Sequence, residues 1–311
     1  MLRQALLQMS KSSRVRQLVE TAPVSRDVVR RFVAGATTAD AVRASTEVTT
    51  SNRLVTLDHL GEGTRDIAQA RAVRDEYTSL LRQLTDAGLT AGGRCEVSLK
   101  LSAVGQALAG DGEKIALEHA WDVCQAASEA GTTVTLDMED HTTTDSTLSV
   151  LRELRGDFPW LGAVLQSYLR RTESDCKDLS GAGSRVRLCK GAYAEPESVA
   201  FVDKAEVDRS YVRCLRTLMA GDGYPMVATH DPRLIDIAGA LAVQKGRSQG
   251  SYEYQMLYGV RPVEQQRLSD QGEKVRVYVP YGDEWYGYLV RRMAERPANT
   301  VFFLRSLATR S

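Results

Sequence analysis

Eight short runs of apolar and β-branched residues recur along the chain, most of them separated by stretches with helical periodicity. The runs are LVTLDHL (54–60), CEVSLKLS (95–102), TTVTLDM (132–138), GAVLQSY (162–168), RVRLCK (185–190), YPMVATH (224–230), SYEYQML (251–257) and VRVYVPY (275–281). Between them lie RDIAQARAVRDEYTSLLRQL, EKIALEHAWDVCQAASEA and AEVDRSYVRCLRTLMA, whose apolar residues repeat every three or four positions. Strands alternating with helices imply right-handed βαβ units and a parallel sheet, and eight such units close into a (βα)8 barrel. An open doubly wound sheet is the rival architecture. No GxGxxG follows the first run, and the pairs Gly61/Gly63 and Gly181/Gly183 lack the third glycine, which weakens that rival. The expectation is therefore one α/β domain over 1–311, with residues 1 to about 50 forming helices packed outside the barrel.

Charge narrows the function. Lys plus Arg and Asp plus Glu number 40 each, so the net charge is zero and nothing favours nucleic acid as a partner. The five cysteines (95, 124, 176, 189, 214) are odd in number and show no CxxC spacing, which reads as free thiols in a reducing compartment. Four isolated histidines make no zinc motif, so no metal is expected. No apolar run reaches the length of a membrane span. The start, MLRQALLQMSKSSRVRQLVE, is basic and amphipathic without a continuous apolar stretch, which argues against a secretory signal. A packed N-terminal helix is favoured there over a transit peptide.

Barrel enzymes carry their chemistry at the C-terminal ends of the strands. Polar residues gather at those ends here: Glu62 after the first run, Lys100 in the second, Asp137 closing the third and Gln166 late in the fourth. Arg187 and Lys190 follow in the fifth, Thr229 and His230 at the end of the sixth, and Tyr278 in the eighth. Each alone has an ordinary explanation, since a strand lysine usually snorkels and an aspartate often caps a helix. Together they describe a polar barrel mouth built around a ligand, because a half-buried charge needs a partner. The helix after the eighth run, EWYGYLVRRMAERP, is the sharpest feature. Arg291 and Arg292 are adjacent, Glu295 is in reach of both, and Tyr288 lies one turn before Arg292. Two planar guanidinium forks suit one small carboxylate. A solvated helix face with an ordinary ion pair is the alternative.

The string VRVYVPYGDEWYGYLVRRMAERPANT resembles the C-terminal signature of the proline dehydrogenase family. SLKLSAVG (98–105), LDMED (136–140), VLQSYLRR (164–171), VRLCKGAY (186–193), ATHD (228–231) and YEYQMLYGVR (252–261) match the same family in the same order. The resemblance runs from about residue 54 to 305. It implies a distorted (βα)8 barrel binding FAD non-covalently, and oxidation of L-proline to Δ1-pyrroline-5-carboxylate by hydride transfer to the flavin. It implies that Arg291, Arg292 and Lys100 hold the proline carboxylate, with Glu295 bracing the arginines. Tyr278, Tyr288 and Leu257 would wall the ring pocket, and Asp137 would be the active-site aspartate that orients Lys100. Met138, Gln166, Lys190, Gly191, Ala192, Thr229 and His230 match FAD-contacting positions. Arg187 would line the flavin and pair with Glu62 as a gate over the substrate. Lys190 and Arg187 would offer positive charge to a cofactor that becomes anionic on reduction. No side chain stands out as the general base, which leaves water.

Two departures stand out: Cys189 where the family carries valine, and Tyr258 where it often carries histidine. No aldehyde dehydrogenase domain or DNA-binding ribbon fits in the sequence, so the expectation is a monofunctional form. Its product would pass to a separate pyrroline-5-carboxylate dehydrogenase and its electrons to a membrane quinone. The expected location is cytoplasmic, with peripheral contact to the inner membrane. Two rivals differ in chemistry: an aldolase-like barrel using Lys100 or Lys190 as a Schiff-base lysine, and a non-catalytic amino-acid sensor that keeps the arginine clamp.

Overall fold

The computed structural model describes residues 29–295, with side chains through Arg292. Its eight parallel strands form a closed barrel in chain order: β1 (Leu54–His59), β2 (Cys95–Leu99), β3 (Val134–Leu136), β4 (Gly162–Gln166), β5 (Arg185–Cys189), β6 (Tyr224–Ala228), β7 (Glu253–Leu257) and β8 (Val275–Tyr281). Each lies inside one of the predicted runs. Closure is made by β1 against β8, in register from Leu54↔Arg276 to His59↔Tyr281. The residues that overran the ladders, such as Lys100, Asp137, Lys190 and Thr229, sit just beyond the last paired positions, where a barrel presents its working groups.

The helices are α1 (Thr38–Thr50), α2 (Ile67–Asp86), α3 (Gly112–Glu129), α4 (Thr144–Leu154), α5 (Thr172–Asp178), α6 (Lys204–Ala220), α7 (Pro232–Gln244), α8 (Pro262–Asp270) and α9 (Trp285–Glu295). Local chemistry sets their starts. Thr37 and Asp40 form a reciprocal capping box on α1, Asp66 caps α2 through the Ala68 amide, and Asp231 followed by Pro232 opens α7. Along α2 the buried residues Ala70, Val73, Tyr77, Leu80, Leu81 and Leu84 keep the three-and-four spacing of a single face.

That face meets the outside of the barrel. Val55, Leu57, Val97, Leu99, Val134, Leu136, Val277 and Val279 point outward into a layer with Tyr77, Leu80, Ala120 and Val123. A second cluster joins Val186, Leu188, Val227 and Met256 to Tyr211, Leu215, Leu218 and Ile235 on the opposite side. Each fully buried leucine here contributes roughly 1.5–3 kcal/mol of transfer free energy.

The distortion lies at the seam. Helix α1 buries Ala41, Ala44 and Val48 in the same cluster as Val55, Val279 and Tyr281, so it covers the outer face of β1 and β8. A regular barrel would use the helix after β8 for this. Helix α9 instead packs Tyr286, Tyr288, Leu289 and Val290 on Phe32, Val33 and Leu60. Of the segment 1 to about 50, expected to pack outside the barrel, residues 1–28 lie outside the described residues and Thr38–Thr50 is the helix over β1 and β8. Among the described residues no helix is long and apolar enough to cross a membrane.

Candidate active site

The apolar faces of the strands look outward, so their polar faces look in. Glu96 shows this best, because its carboxylate takes bonds from Thr56 on β1, Thr133 before β3 and Arg185 on β5, at 2.7, 2.6 and 2.6 Å. Arg187 and Arg276 lie 3.8 and 3.7 Å from the same carboxylate. Arg276 also binds Glu253 at 2.8 Å. Barrel interiors are usually filled with branched apolar side chains. This one carries Asp58, Glu96, Asp137 and Glu253 against Lys100, Arg185, Arg187 and Arg276, one negative charge for each positive. Burial alone would raise the Glu96 carboxyl, but Arg185, Arg276 and Arg187 outweigh it and hold that group well below the usual carboxylate range.

Higher in the barrel the network reaches the expected site. Arg187 donates at 2.8 Å to Asp137 and to the Ser98 hydroxyl, and at 2.5 Å to Gln255. Burial first, then the charges of Asp137 and Asp58, raise the Tyr278 phenol well above its ordinary value. It stays protonated and donates to Asp137 at 2.7 Å. Lys100 Nζ lies 3.8 Å from Asp137, but its close partner is Asp58 at 2.5 Å. Burial pulls Lys100 down, yet Asp58, Asp137 and Glu62 together push it above its ordinary value. A Schiff-base lysine needs the opposite shift, so the aldolase reading loses its nucleophile at Lys100.

Helix α9 closes the top. Arg291 forms an ion pair with Glu62, in the loop after β1, and its guanidinium stacks 5.5 Å from the ring centroid of Tyr193, in the loop after β5. Strands one and five stand opposite each other in an eight-stranded ring. A side chain touching both loops places α9 across the mouth. Tyr193 adds a hydroxyl bond to Glu62 at 3.2 Å. Burial raises the Glu62 carboxyl, but Arg291 and Lys100 together bring it below its ordinary value. The Arg292 guanidinium lies 5.1 Å from the centroid of the buried Tyr288 ring.

This geometry corrects two expectations. Glu62 does not pair with Arg187. Arg187 occupies an inward position on β5, 4 % exposed, and its guanidinium is taken up by Asp137, Ser98 and Gln255. Glu62 faces α9 from the rim, where Arg291 is the guanidinium in reach. The orientation of Lys100 is likewise set mainly by Asp58 rather than by Asp137. Lys190, expected beside the flavin, binds Asp208 at 2.5 Å and Asp231 at 3.3 Å, so two carboxylates share its charge. The side chain of Glu295 lies outside the described residues.

The other expected positions fall into two arcs. Met138, Gln166, Gly191, Ala192, Thr229 and His230 stand at the ends of β3 to β6, whereas Leu257, Tyr278, Arg291, Glu62 and Lys100 run from β7 through β8 and β1 to β2. Within the first arc Gln166 Nε2 donates to the Met138 carbonyl at 3.1 Å, leaving Gln166 Oε1 buried with no hydrogen-bond partner among the described residues. The His230 ring accepts from the Leu257 amide at 2.9 Å and joins the arcs. Gly191 has φ +105°, and a Cβ there would lie 2.2 Å from the Tyr168 ring. Only glycine fits beneath that ring. Missed from sequence were Asp58, Glu96, Ser98 and Tyr193; the charged members sat in plain alternation within LVTLDH and CEVSLK.

A closed (βα)8 barrel whose polar mouth is roofed by an arginine-bearing helix is the arrangement of a barrel enzyme. The family model described as Proline dehydrogenase matches residues 41–305. The chain belongs to the proline dehydrogenase family, and it oxidises proline in the first step of proline catabolism. It is 38 % identical over 307 residues to proline dehydrogenase of Deinococcus radiodurans, covering 98 % of this chain and 97 % of that protein. It is 37 % identical over 278 residues to proline dehydrogenase 1 of Bacillus subtilis subsp. natto, covering 89 % and 90 %. Proline utilization A (PutA) of Bdellovibrio bacteriovorus, in a crystal structure inactivated by N-propargylglycine, superposes with a TM-score of 0.80 at 26 % identity. The match covers 87 % of this chain and 33 % of that one, so the chain spans about a third of that protein.

Proposed function

We propose that the mouth binds FAD non-covalently along the β3–β6 arc and holds L-proline by its carboxylate in the β7–β2 arc, yielding Δ1-pyrroline-5-carboxylate. The single observation that carries this is the roof: Arg291, on a helix crossing the mouth, already holds a carboxylate, that of Glu62. A substrate carboxylate takes up the same guanidinium together with Arg292 and Lys100. The donor set suits an anion, and Lys100 is kept cationic by its surroundings. Glu62 and Arg291, with Tyr193 against both, act as the gate, opening for substrate and closing over it. Tyr278, Tyr288 and Leu257 shape the ring pocket.

The residues of the first arc fit a flavin. Gln166 Oε1 is a buried acceptor that lacks a donor, a role the ring imide N–H of a flavin fills. Gly191, with no side chain, lets backbone come close, and Met138, Ala192, Thr229 and His230 line the same arc, with Lys190 at its edge. When bound, FAD supplies the two-electron acceptor for hydride from the proline carbon beside nitrogen. Arg187 and Asp137 act from below: Asp137 fixes the Tyr278 hydroxyl, and Arg187 holds Asp137 in place. The ammonium proton of proline passes to water.

The electrons then pass to a membrane quinone reached by peripheral contact from the cytoplasm, and the product passes to a separate pyrroline-5-carboxylate dehydrogenase. The similar chains of matching length are named as proline dehydrogenases, and the Escherichia coli protein named bifunctional PutA is matched over 24 % of its length. Anaerobic addition of L-proline to the purified protein tests the chemistry. The expected result is bleaching of the oxidised-flavin absorbance with stoichiometric pyrroline-5-carboxylate. A colourless protein that cannot be reconstituted with FAD would refute it.

A further inference from the structure

Asp58 is buried to 1 % exposure at the last inward position of β1. One carboxylate oxygen binds Lys100 Nζ at 2.5 Å, and the other is buried with no hydrogen-bond partner among the described residues. A carboxylate so placed is costly to desolvate, and an apolar residue of similar volume would fill the space more cheaply. Such a group calls for a task, and its contacts point to one. Lys100 has a flexible four-carbon stem and, among the described residues, no other ion-pair partner closer than 3.8 Å. We propose that Asp58 is the positioning residue of the substrate clamp: it holds Lys100 in place and in its charged form, so that the ammonium meets the proline carboxylate at the barrel mouth.

The surrounding charges make this specific. Lys100 is faced by Asp58 on β1, Glu62 after β1, and Asp137 and Glu139 after β3. Tyr278 on β8 and Arg187 on β5 engage Asp137 from the far side. Asp137 already serves three donors, Arg187, Tyr278 and the Ser98 hydroxyl, and Glu62 is committed to Arg291. Asp58 is the carboxylate whose close ion-pair partner is Lys100. Among the charges acting on Lys100 it is also the largest upward influence. With Asp58 neutralised, burial has less to oppose it, and Lys100 loses its proton at a lower pH.

The inference rests on the reading of Lys100 as a carboxylate ligand, and its test separates the two. Proline KM and kcat are measured with the flavin-loaded enzyme from pH 6 to 9 for the wild type, Asp58→Asn, Lys100→Met and the double variant. For Asp58→Asn, KM is expected to rise about tenfold or more near neutral pH. It should climb further with pH from a lower pH than in the wild type, with kcat at saturating proline and flavin content little changed. On the Lys100→Met background, adding Asp58→Asn should change KM by less than about twofold, as a residue acting only through its neighbour must. An Asp58→Asn enzyme with wild-type KM and pH profile would overturn the inference. So would an equal rise on both backgrounds, which marks a purely structural role. Lys100→Met with unchanged KM would remove Lys100 from the clamp and the inference with it. If Asp58→Asn does not fold, Asp58→Glu keeps the charge and shifts its place; it should raise KM without moving the pH profile, and an unchanged KM would count against the proposal.

Discussion

Replacing Glu96 by glutamine keeps the shape of the barrel interior and removes one charge. The carboxylate is fully buried, with Arg185 at 2.6 Å and Arg276 and Arg187 within 3.8 Å. The amide oxygen of glutamine can still accept from Thr56, but its NH2 group turns a donor toward guanidinium groups that are donors themselves. Arg276 keeps Glu253 and Arg187 keeps Asp137, whereas Arg185 is left with no carboxylate among its described ion-pair partners. Removing one side of a buried ion pair costs about 3–5 kcal/mol. At roughly 2–4 °C per kcal/mol for larger domains, the melting temperature should fall on the order of 10 °C. The pH dependence has a definite sign. The folded-state pKa of Glu96 is depressed, so its stabilisation is complete above the unfolded value of about 4.3 and fades as pH falls through the folded value. Scanning calorimetry at fixed scan rate should therefore show a wide gap between wild type and Glu96→Gln at pH 7 that narrows only in acid, below about pH 4. A gap of a degree or less at neutral pH, or one that is the same in acid, would refute the ion-filled interior as a source of stability.

Three further outcomes follow from the mouth. Gly191→Ala forces a Cβ into the Tyr168 ring at a φ of +105°, at a cost of roughly 2–4 kcal/mol in strain and overpacking; the molar ratio of FAD to purified protein should fall by more than half, and full occupancy with an unchanged melting temperature would count against a tight fit there. Glu62→Ala frees Arg291 and opens the roof, so stopped-flow reduction of the flavin by proline should slow several-fold, whereas unchanged single-turnover rates would take Glu62 out of the mechanism. Because Arg291 and Lys100 hold the Glu62 carboxyl below its ordinary value, the gate should stay ionised down through about pH 4.5, and the Glu62→Gln effect on reduction rate should be constant from pH 6 to 8.

Much of the architecture was legible in the sequence. The strands fall inside eight runs of 6 to 8 residues, because strand-forming residues clustered where the helical periodicity stopped. Their order around the barrel followed from the handedness and adjacency of βαβ units. The positions of the strand-end residues were legible for the same reason. What faced inward was not. CEVSL alternates strictly, but alternation does not say which face is buried, and in a barrel wrapped by helices the apolar face turns outward while Glu96 and Ser98 fill the centre. Partner choice was also out of reach. Glu62 and Arg291 are 229 positions apart and meet because α9 leaves the flank of β8 and crosses the mouth, which depends on α1 having taken that flank. Asp58 is in register with Ser98 on the neighbouring strand, and Lys100, two residues further along, reaches it with its side chain.

The central claim is that the α9 arginines serve the substrate carboxylate and not the cofactor. Single-turnover reduction of the flavin, followed against proline concentration in Arg291→Met and Arg292→Met, tests it most directly. Losing a charge-assisted bidentate contact is worth about 2–3 kcal/mol, so the apparent Kd for proline should rise roughly 30- to 150-fold in each variant while FAD content stays near that of the wild type. Loss of FAD from either variant, with wild-type affinity for proline in the holoenzyme that remains, would contradict the account.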